Sequence, residues 1–344
     1  MIRTLLDSEF VEYNILYIND PKELYTDSWG WDYNKIQSLS KHSLVIVNYG
    51  IDDYQNSLHY AKDIFTKYNI NHLLITHTPV EHYYQDAVNI IYHPYHYFQT
   101  RDTSLGYTPL WPIENISDQN INQIEKKYKL ACLNGNPRPH KILNFIRLKE
   151  KSYYKDCYFT MHNSCANAWR SDDLILDPTD KVNWELLKSK LPTPSDLLSK
   201  YTPTPENCIT SDAHTNSYIH LIVETTANTK YFITEKTWKV IASGQLFLIL
   251  AGQGIIAHLR DAGLDTFDDI IDHNYYDSEF DTKLRIIKLH EVIDNLMQMD
   301  LKLLNEQTSK RRKKNAELFW NNKLFQSKYT VDELRTAIRT CLTK

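Results

Sequence analysis

A chain of 344 residues, 42% hydrophobic and 24% charged, carries enough apolar side chain for two cores of ordinary size and is neither disordered nor membranous in composition. It has only 8 glycines, and neither a Walker A loop nor a G-x-G-x-x-G turn occurs, which excludes the glycine-rich ways of cradling phosphate. The net charge of −4 is unevenly spread: residues 301–344 hold 11 lysines and arginines against 4 acids, leaving the rest of the chain acidic.

Residues 43–49 (SLVIVNY) read as a buried strand that runs into Gly50-Ile51-Asp52-Asp53. Leu58, Ala61, Ile64, Phe65 and Tyr68 then recur at helical spacing, and 72–77 (HLLITH) and 88–92 (VNIIY) are further strands. Strand-length apolar runs separated by helical patterns predict βαβ units and a mainly parallel sheet. Residues 99–125 are polar and contain proline, as a linker would. A second series starts near Lys129, with a strand over 130–133, the turn Asn134-Gly135-Asn136-Pro137-Arg138-Pro139, a helix over 140–151 and a strand over 157–161. Prolines 192, 194, 203 and 205 make 192–216 an irregular stretch. Beyond it the pattern gives a strand over 218–225, a helix over 235–243, a strand over 245–250, a helix over 255–262 closed by Gly263, and helix throughout after 282.

This pattern matches an α/β architecture of two Rossmann-like domains with a helical C-terminal tail, with boundaries at 1–125, 126–300 and 301–344. Five cysteines (Cys132, Cys157, Cys165, Cys208, Cys341) lack C-x-x-C spacing, which predicts reduced thiols. The first residues are too acidic for a signal peptide, and no stretch approaches the ~20 apolar residues of a bilayer span. The expectation is a cytoplasmic protein without a membrane span.

In α/β folds ligands bind beyond the carboxyl ends of strands, so functional residues should follow strands. Thr234 is a plausible N-cap, which places Glu235 and Lys236 in the first turn of a helix. A helix N-terminus favours a diphosphate; Lys236 adds a cation, and Glu235 can accept hydrogen bonds from ribose or sugar hydroxyls. The alternative is a surface Glu-Lys pair on a solvated helix face. At the 134–141 turn, Arg138, His140 and Lys141 form a second basic junction of strand and helix, with helix capping in a proline-rich turn as its alternative.

The stretch Tyr231-Phe232-Ile233-Thr234-Glu235-Lys236, with its following helix and buried strand, resembles the donor-binding motif of α1,3-fucosyltransferase-type glycosyltransferases, of GT-B fold. Residues 252–277, including Leu259-Arg260-Asp261-Ala262-Gly263 and Thr266-Phe267-Asp268-Asp269, are similar to related glycosyltransferase-like proteins of tailed phages. The likeness spans roughly 130–275 and is densest over 224–270. It implies a nucleotide-sugar co-substrate contacted by Tyr231, Glu235 and Lys236, with Glu224 matching an earlier glutamate of the family. The family's phosphate-binding arginine falls by spacing on Lys141, with Arg138 close enough to replace it. In the family a glutamate of the N-terminal domain is the catalytic base. No motif carries it over, so strand ends alone nominate Asp52 or Asp53, then Glu81 with His82.

No D-x-D triplet occurs, so neither a metal nor another cofactor is expected beyond the nucleotide sugar. The acceptor is a hydroxyl compound: a hydroxymethylated base in phage DNA, with the chain then working in the infected cell, or a glycan. A catalytically silent nucleotide-binding or nucleic-acid-binding protein of the same fold is the remaining alternative. The stripe Lys310-Arg311-Arg312-Lys313-Lys314 bears on this choice, because it reads either as a solvated helix face or as a contact for DNA phosphates.

Overall fold

A computed structural model of the chain describes residues 2–18, 24, 32–48, 61, 63–76, 90–92, 121, 123–135, 137–161, 176–191, 212–228, 232–321 and 331–343. The chain is an α/β protein with two parallel four-stranded sheets. It divides into two compact units, Met1–Tyr107 with Phe325–Lys344, and Thr108–Leu324. Among the described residues no helix is long and apolar enough to cross a membrane.

The first unit contains α1 (Ile2–Glu9), β1 (Ile15–Ile18), α2 (Tyr33–Ser38), β2 (Leu44–Asn48), β3 (His72–Thr76) and β4 (Ile90–Tyr92). Its strands lie side by side in chain order, each pair parallel. Successive side chains of a strand point to opposite faces. Val45 and Val47 accordingly join Leu74, Ile36, Ala61 and Phe65 on one face, while Leu44 and Ile46 join Leu73, Ile75, Leu6 and Phe10 on the other. A sheet covered on both faces needs continuous apolar strands, which is what Leu44-Val45-Ile46-Val47 supplies.

The last helix, Val331–Leu342, completes that second face with Leu334, Ile338 and Cys341, one helical turn apart and all buried. Asn71 Nδ2 donates to Cys341 O at 2.8 Å and fixes the helix end. Its apolar stripe therefore belongs to the first unit, whereas 301–320 is a helix of the second.

The second unit contains β5 (Tyr128–Leu133), α3 (Pro139–Lys149), β6 (Cys157–Thr160), α4 (Pro178–Lys188), α5 (Asp212–Thr215), β7 (Ser217–Val223), α6 (Glu235–Ala242) and β8 (Leu246–Leu250). Then follow α7 (Ile255–Asp261), α8 (His273–Asp277), α9 (Thr282–Met297) and α10 (Leu301–Trp320). Gly263, at φ +99°, stops α7 in a conformation that suits glycine. The strand order is β6-β5-β7-β8, so Leu130 pairs with Cys157 on one side and Ile219 on the other. The chain passes from β5 to β6 on one side and then crosses to β7 on the other, so the carboxyl ends of β5 and β7 flank the switch point of the sheet. Within the stretch expected to be irregular, 212–215 is helical and packs beside β7; 192–211 lies outside the described residues.

Two buried arginines brace this frame. Arg285 of α9 donates to four carbonyls: Ala227 at 2.7 Å, Ala251 at 2.6 Å, Glu279 at 2.8 Å and Phe280 at 3.0 Å. It thereby ties the loop after β7 to the end of β8. Arg312 of α10 donates to Gly244 O at 2.7 Å, Asn305 O and Oδ1 at 2.8 Å each, and Thr308 Oγ1 at 3.1 Å. Trp320 Nε1 donates to Ala242 O at 3.0 Å, so α10 grips the carboxyl end of α6 from two positions.

The stripe 310–314 is therefore not one basic face. Arg312 points inward, and Arg311 is engaged by Asp265 and Asp269 at 2.6–2.9 Å. Five consecutive helical residues at 100° each go fully round the axis, so some must face the core. Neither the solvated-face reading nor the phosphate-contact reading fits these two arginines; Lys310 and Lys314 remain exposed.

Candidate functional site

The first turn of α6 is set by a carboxylate beneath it. Glu224 follows β7, is fully buried, and its backbone N–H extends the ladder to Leu250 O at 2.9 Å. Its Oε1 accepts from Thr234 N at 3.0 Å and Thr237 Oγ1 at 2.6 Å, and its Oε2 accepts from Thr234 Oγ1 at 2.6 Å. The chain leaving β7 is thus pinned where it returns as helix. Thr234 caps α6 by accepting from Lys236 N at 3.4 Å. Glu224, expected to touch the donor, lies under the site instead: both oxygens are spent on Thr234 and Thr237, and none of its surface is exposed.

Glu235 and Lys236 stand on this turn, half-buried. Lys236 Nζ donates to Thr234 Oγ1 at 3.1 Å, Thr225 Oγ1 at 3.2 Å and Glu235 Oε1 at 3.3 Å. The Glu-Lys neighbours are therefore not a loose pair on a solvated face: the lysine is folded back over the helix N-terminus.

The start of α3 faces the same region. Arg138 occupies the cap position with extended backbone and no side-chain cap bond, and Pro139 opens the helix. The Arg138 side chain does not cap the first turn, and a helix N-terminus of this kind is a usual setting for an anion. His140, fully buried, donates from Nε2 to Glu224 O at 2.9 Å and joins the two strand ends. Lys141 is 3% exposed. Burial, then the charges of Lys236 and Arg138, push its amine down to about 7, against the pull of Glu224 and Glu235. Three basic side chains from two helix starts thus lie near two carboxylates that already have partners.

Beside this cluster opens a cavity of about 240 Å³. Its lining includes the charged Glu235, Lys236 and Lys239 and the aromatic Tyr158, His214 and His220. The two imidazoles stack 5.0 Å apart at 17°. Burial keeps both neutral, lowering His220 to about 3 and His214 well below its usual value. His220 Nε2 donates to Ala213 O at 2.9 Å, which fixes its tautomer. The lining thus combines uncharged aromatic groups with charged ones, which suits a ligand that carries both a flat ring and phosphates.

The structure brings together Arg138, Lys141, Glu235 and Lys236, with Glu224 below them. Tyr231, Asp52, Asp53, Glu81 and His82 lie outside the described residues. Sequence reading missed Thr237, Lys239, His214, His220 and Tyr158; no local motif marks them, since β6, α5 and β7 meet only in the fold. No family model, curated protein or solved structure matches the chain.

Proposed function

We propose that the chain is a glycosyltransferase that takes a sugar from a nucleotide-sugar donor, built as two Rossmann-like units of GT-B type. The observation that carries this reading is the convergence of Arg138, Lys141 and Lys236 on two helix N-termini at the switch point of the second sheet. Cations held there neutralise a diphosphate and stabilise the departing nucleoside diphosphate electrostatically. The adjoining cavity takes the nucleoside, and Glu235 accepts from its ribose or from the sugar. Asp52 or Asp53 takes the proton of the acceptor hydroxyl, with Glu81 as the next choice. The acceptor is hydroxymethylated DNA or a glycan. The stripe offers DNA less charge than its sequence suggests, because Arg312 is buried and Arg311 is paired with Asp265 and Asp269.

Nucleoside diphosphates should raise the melting temperature, because a ligand at a hundredfold its Kd stabilises the native state by ~2.7 kcal/mol. Lys236→Ala should abolish most of that shift while changing unliganded stability by less than about 1 kcal/mol, since its contacts are part-exposed. An undiminished shift in Lys236→Ala would move the donor elsewhere, and the absence of any shift would remove the reading.

Turnover tests the base. Asp52→Asn or Asp53→Asn should slow transfer by about a hundredfold or more at saturating donor with donor affinity unchanged. Wild-type rates in both would pass the role to Glu81. Labelled donor offered in parallel to hydroxymethylated DNA, unmodified DNA and a glycan panel separates the acceptors.

A further inference from the structure

Asn134 carries an acceptor that the rest of the protein leaves unused. It directly follows β5, is 2% exposed, and belongs to the lining of the cavity. Its backbone is tied to the end of β6: the N–H donates to Thr160 O at 3.0 Å, and the carbonyl accepts from Thr160 Oγ1 at 3.1 Å. Half of the side-chain amide is engaged as well, with Nδ2 donating to the Cys132 sulfur at 3.1 Å. The other half is not. Among the described residues nothing donates to Oδ1, although it is buried. A buried amide oxygen without a donor is costly and rare, so its partner is to be sought in what fills the cavity. Gly135, next in the chain and also in the lining, points the same way. Its φ lies outside the left-handed region, and a Cβ placed on it meets nothing within 4 Å. Neither backbone nor packing calls for glycine there; open space lies beside it.

We propose that Asn134 reads the base of the nucleotide, its Oδ1 accepting from an exocyclic amino group, so that the site prefers bases that carry such a group over those that lack it. This rests on the reading of the cavity as the nucleoside site. The preference follows from which half of the amide is free. An asparagine with both halves free pairs with adenine through two bonds, one given and one accepted. Here Cys132 holds the donor half, so the ligand must supply the N–H. The amino groups of adenine, cytosine and guanine project from the ring edge and can supply it. Uracil offers only a ring N–H recessed between two carbonyls, whose oxygens would crowd Oδ1 with like partial charge. A carbonyl in place of the amino group sets two acceptors face to face and leaves both unpaired. The space beside Gly135 lets the ring come up to the amide.

Calorimetric titration with ADP, IDP, CDP, UDP and GDP tests this, since these probes share the diphosphate and ribose and differ only in the base. In the pairs ADP–IDP, CDP–UDP and GDP–IDP only the first member carries the amino group. For the wild-type protein the amino member of at least one pair should bind about tenfold more tightly or better, the cost of one unmade buried hydrogen bond. Asn134→Leu, similar in size but without the amide, should weaken that member and bring the pair to within about threefold. Gly135→Leu should melt near wild type and lose all five nucleotides, because its side chain enters space that the protein leaves open. Equal affinities within every pair overturn the proposal and leave the nucleoside site standing. A preference for the members without the amino group overturns it too, because the amide would then present its N–H₂ to the ligand. Selectivity that survives in a folded Asn134→Leu protein gives the base to other residues. If Asn134→Leu does not fold, Gly135→Leu decides in its place: nucleotide binding as in wild type overturns the proposal. Failure of all five diphosphates to bind the wild-type protein removes the site reading itself.

Discussion

Arg312→Met is expected to cost about 2–4 kcal/mol of stability, while Lys310→Gln and Lys314→Gln together stay within ~0.5 kcal/mol. The guanidinium is 1% exposed, and burial pushes its pKa down to about 10, so it remains charged. Its hydrogen bonds go to neutral groups: the carbonyls of Gly244 and Asn305, the Asn305 amide oxygen and the Thr308 hydroxyl. Methionine relieves the burial of a charge but leaves those oxygens facing an apolar side chain, and each unpaired buried group costs about 1–3 kcal/mol. The net loss falls below the sum because the relieved charge is itself unfavourable in the core. Gly244 follows the end of α6, so the same change loosens the helix that carries Glu235 and Lys236. Urea denaturation of the three variants reads the difference. An Arg312→Met protein as stable as wild type would show that the side chain does not brace α6, and the stripe would regain its claim as a surface feature.

That expectation runs against what five basic residues in a row suggest, and the reason is geometric. Composition reports charge, but the helical period decides which residue faces in, and the stripe alone gives no phase. The apolar strands were far easier to read. Residues 44–47 and 246–250 are buried on both faces, so they show as unbroken apolar runs whose length alone marks them as strands. Thr234 was legible as a cap because the signal is local: a hydroxyl residue directly before an amphipathic helix. Lys141 was legible as a basic residue at a helix start, but not as a buried one. Its surroundings include Lys236 and Glu235 of α6, nearly 100 residues away in sequence. The last helix shows the same limit. Leu334, Ile338 and Cys341 announce an apolar stripe, and nothing in 331–342 says that the surface it covers is the sheet of residues 44–75.

Glu224→Ala is expected to be the most damaging single change at the site, costing about 3–5 kcal/mol and abolishing the response to diphosphates. Removing the carboxylate leaves the Thr234 N–H and the hydroxyls of Thr234 and Thr237 without their acceptor, all of them in the interior. The turn that caps α6 is then free to shift, and with it the lysine folded over its N-terminus. Glu224→Gln keeps the shape but presents an amide N–H₂ to one of the two hydroxyls, so an intermediate loss follows. The contrast with Lys236→Ala identifies the role. A residue that touches the ligand loses binding with little change in the unliganded protein, whereas a positioning residue loses both. Pairing Glu224→Gln with Thr237→Val in a double-mutant cycle isolates one contact, the 2.6 Å bond from Thr237 Oγ1. A coupling of about 1 kcal/mol or more is expected, because a bond to a charged group is worth about 1.5–3 kcal/mol and the amide retains part of it. Additive effects would mean that the hydroxyl contributes nothing through Glu224. A Glu224→Ala protein that still melts like wild type would show that this carboxylate does not hold the first turn of α6.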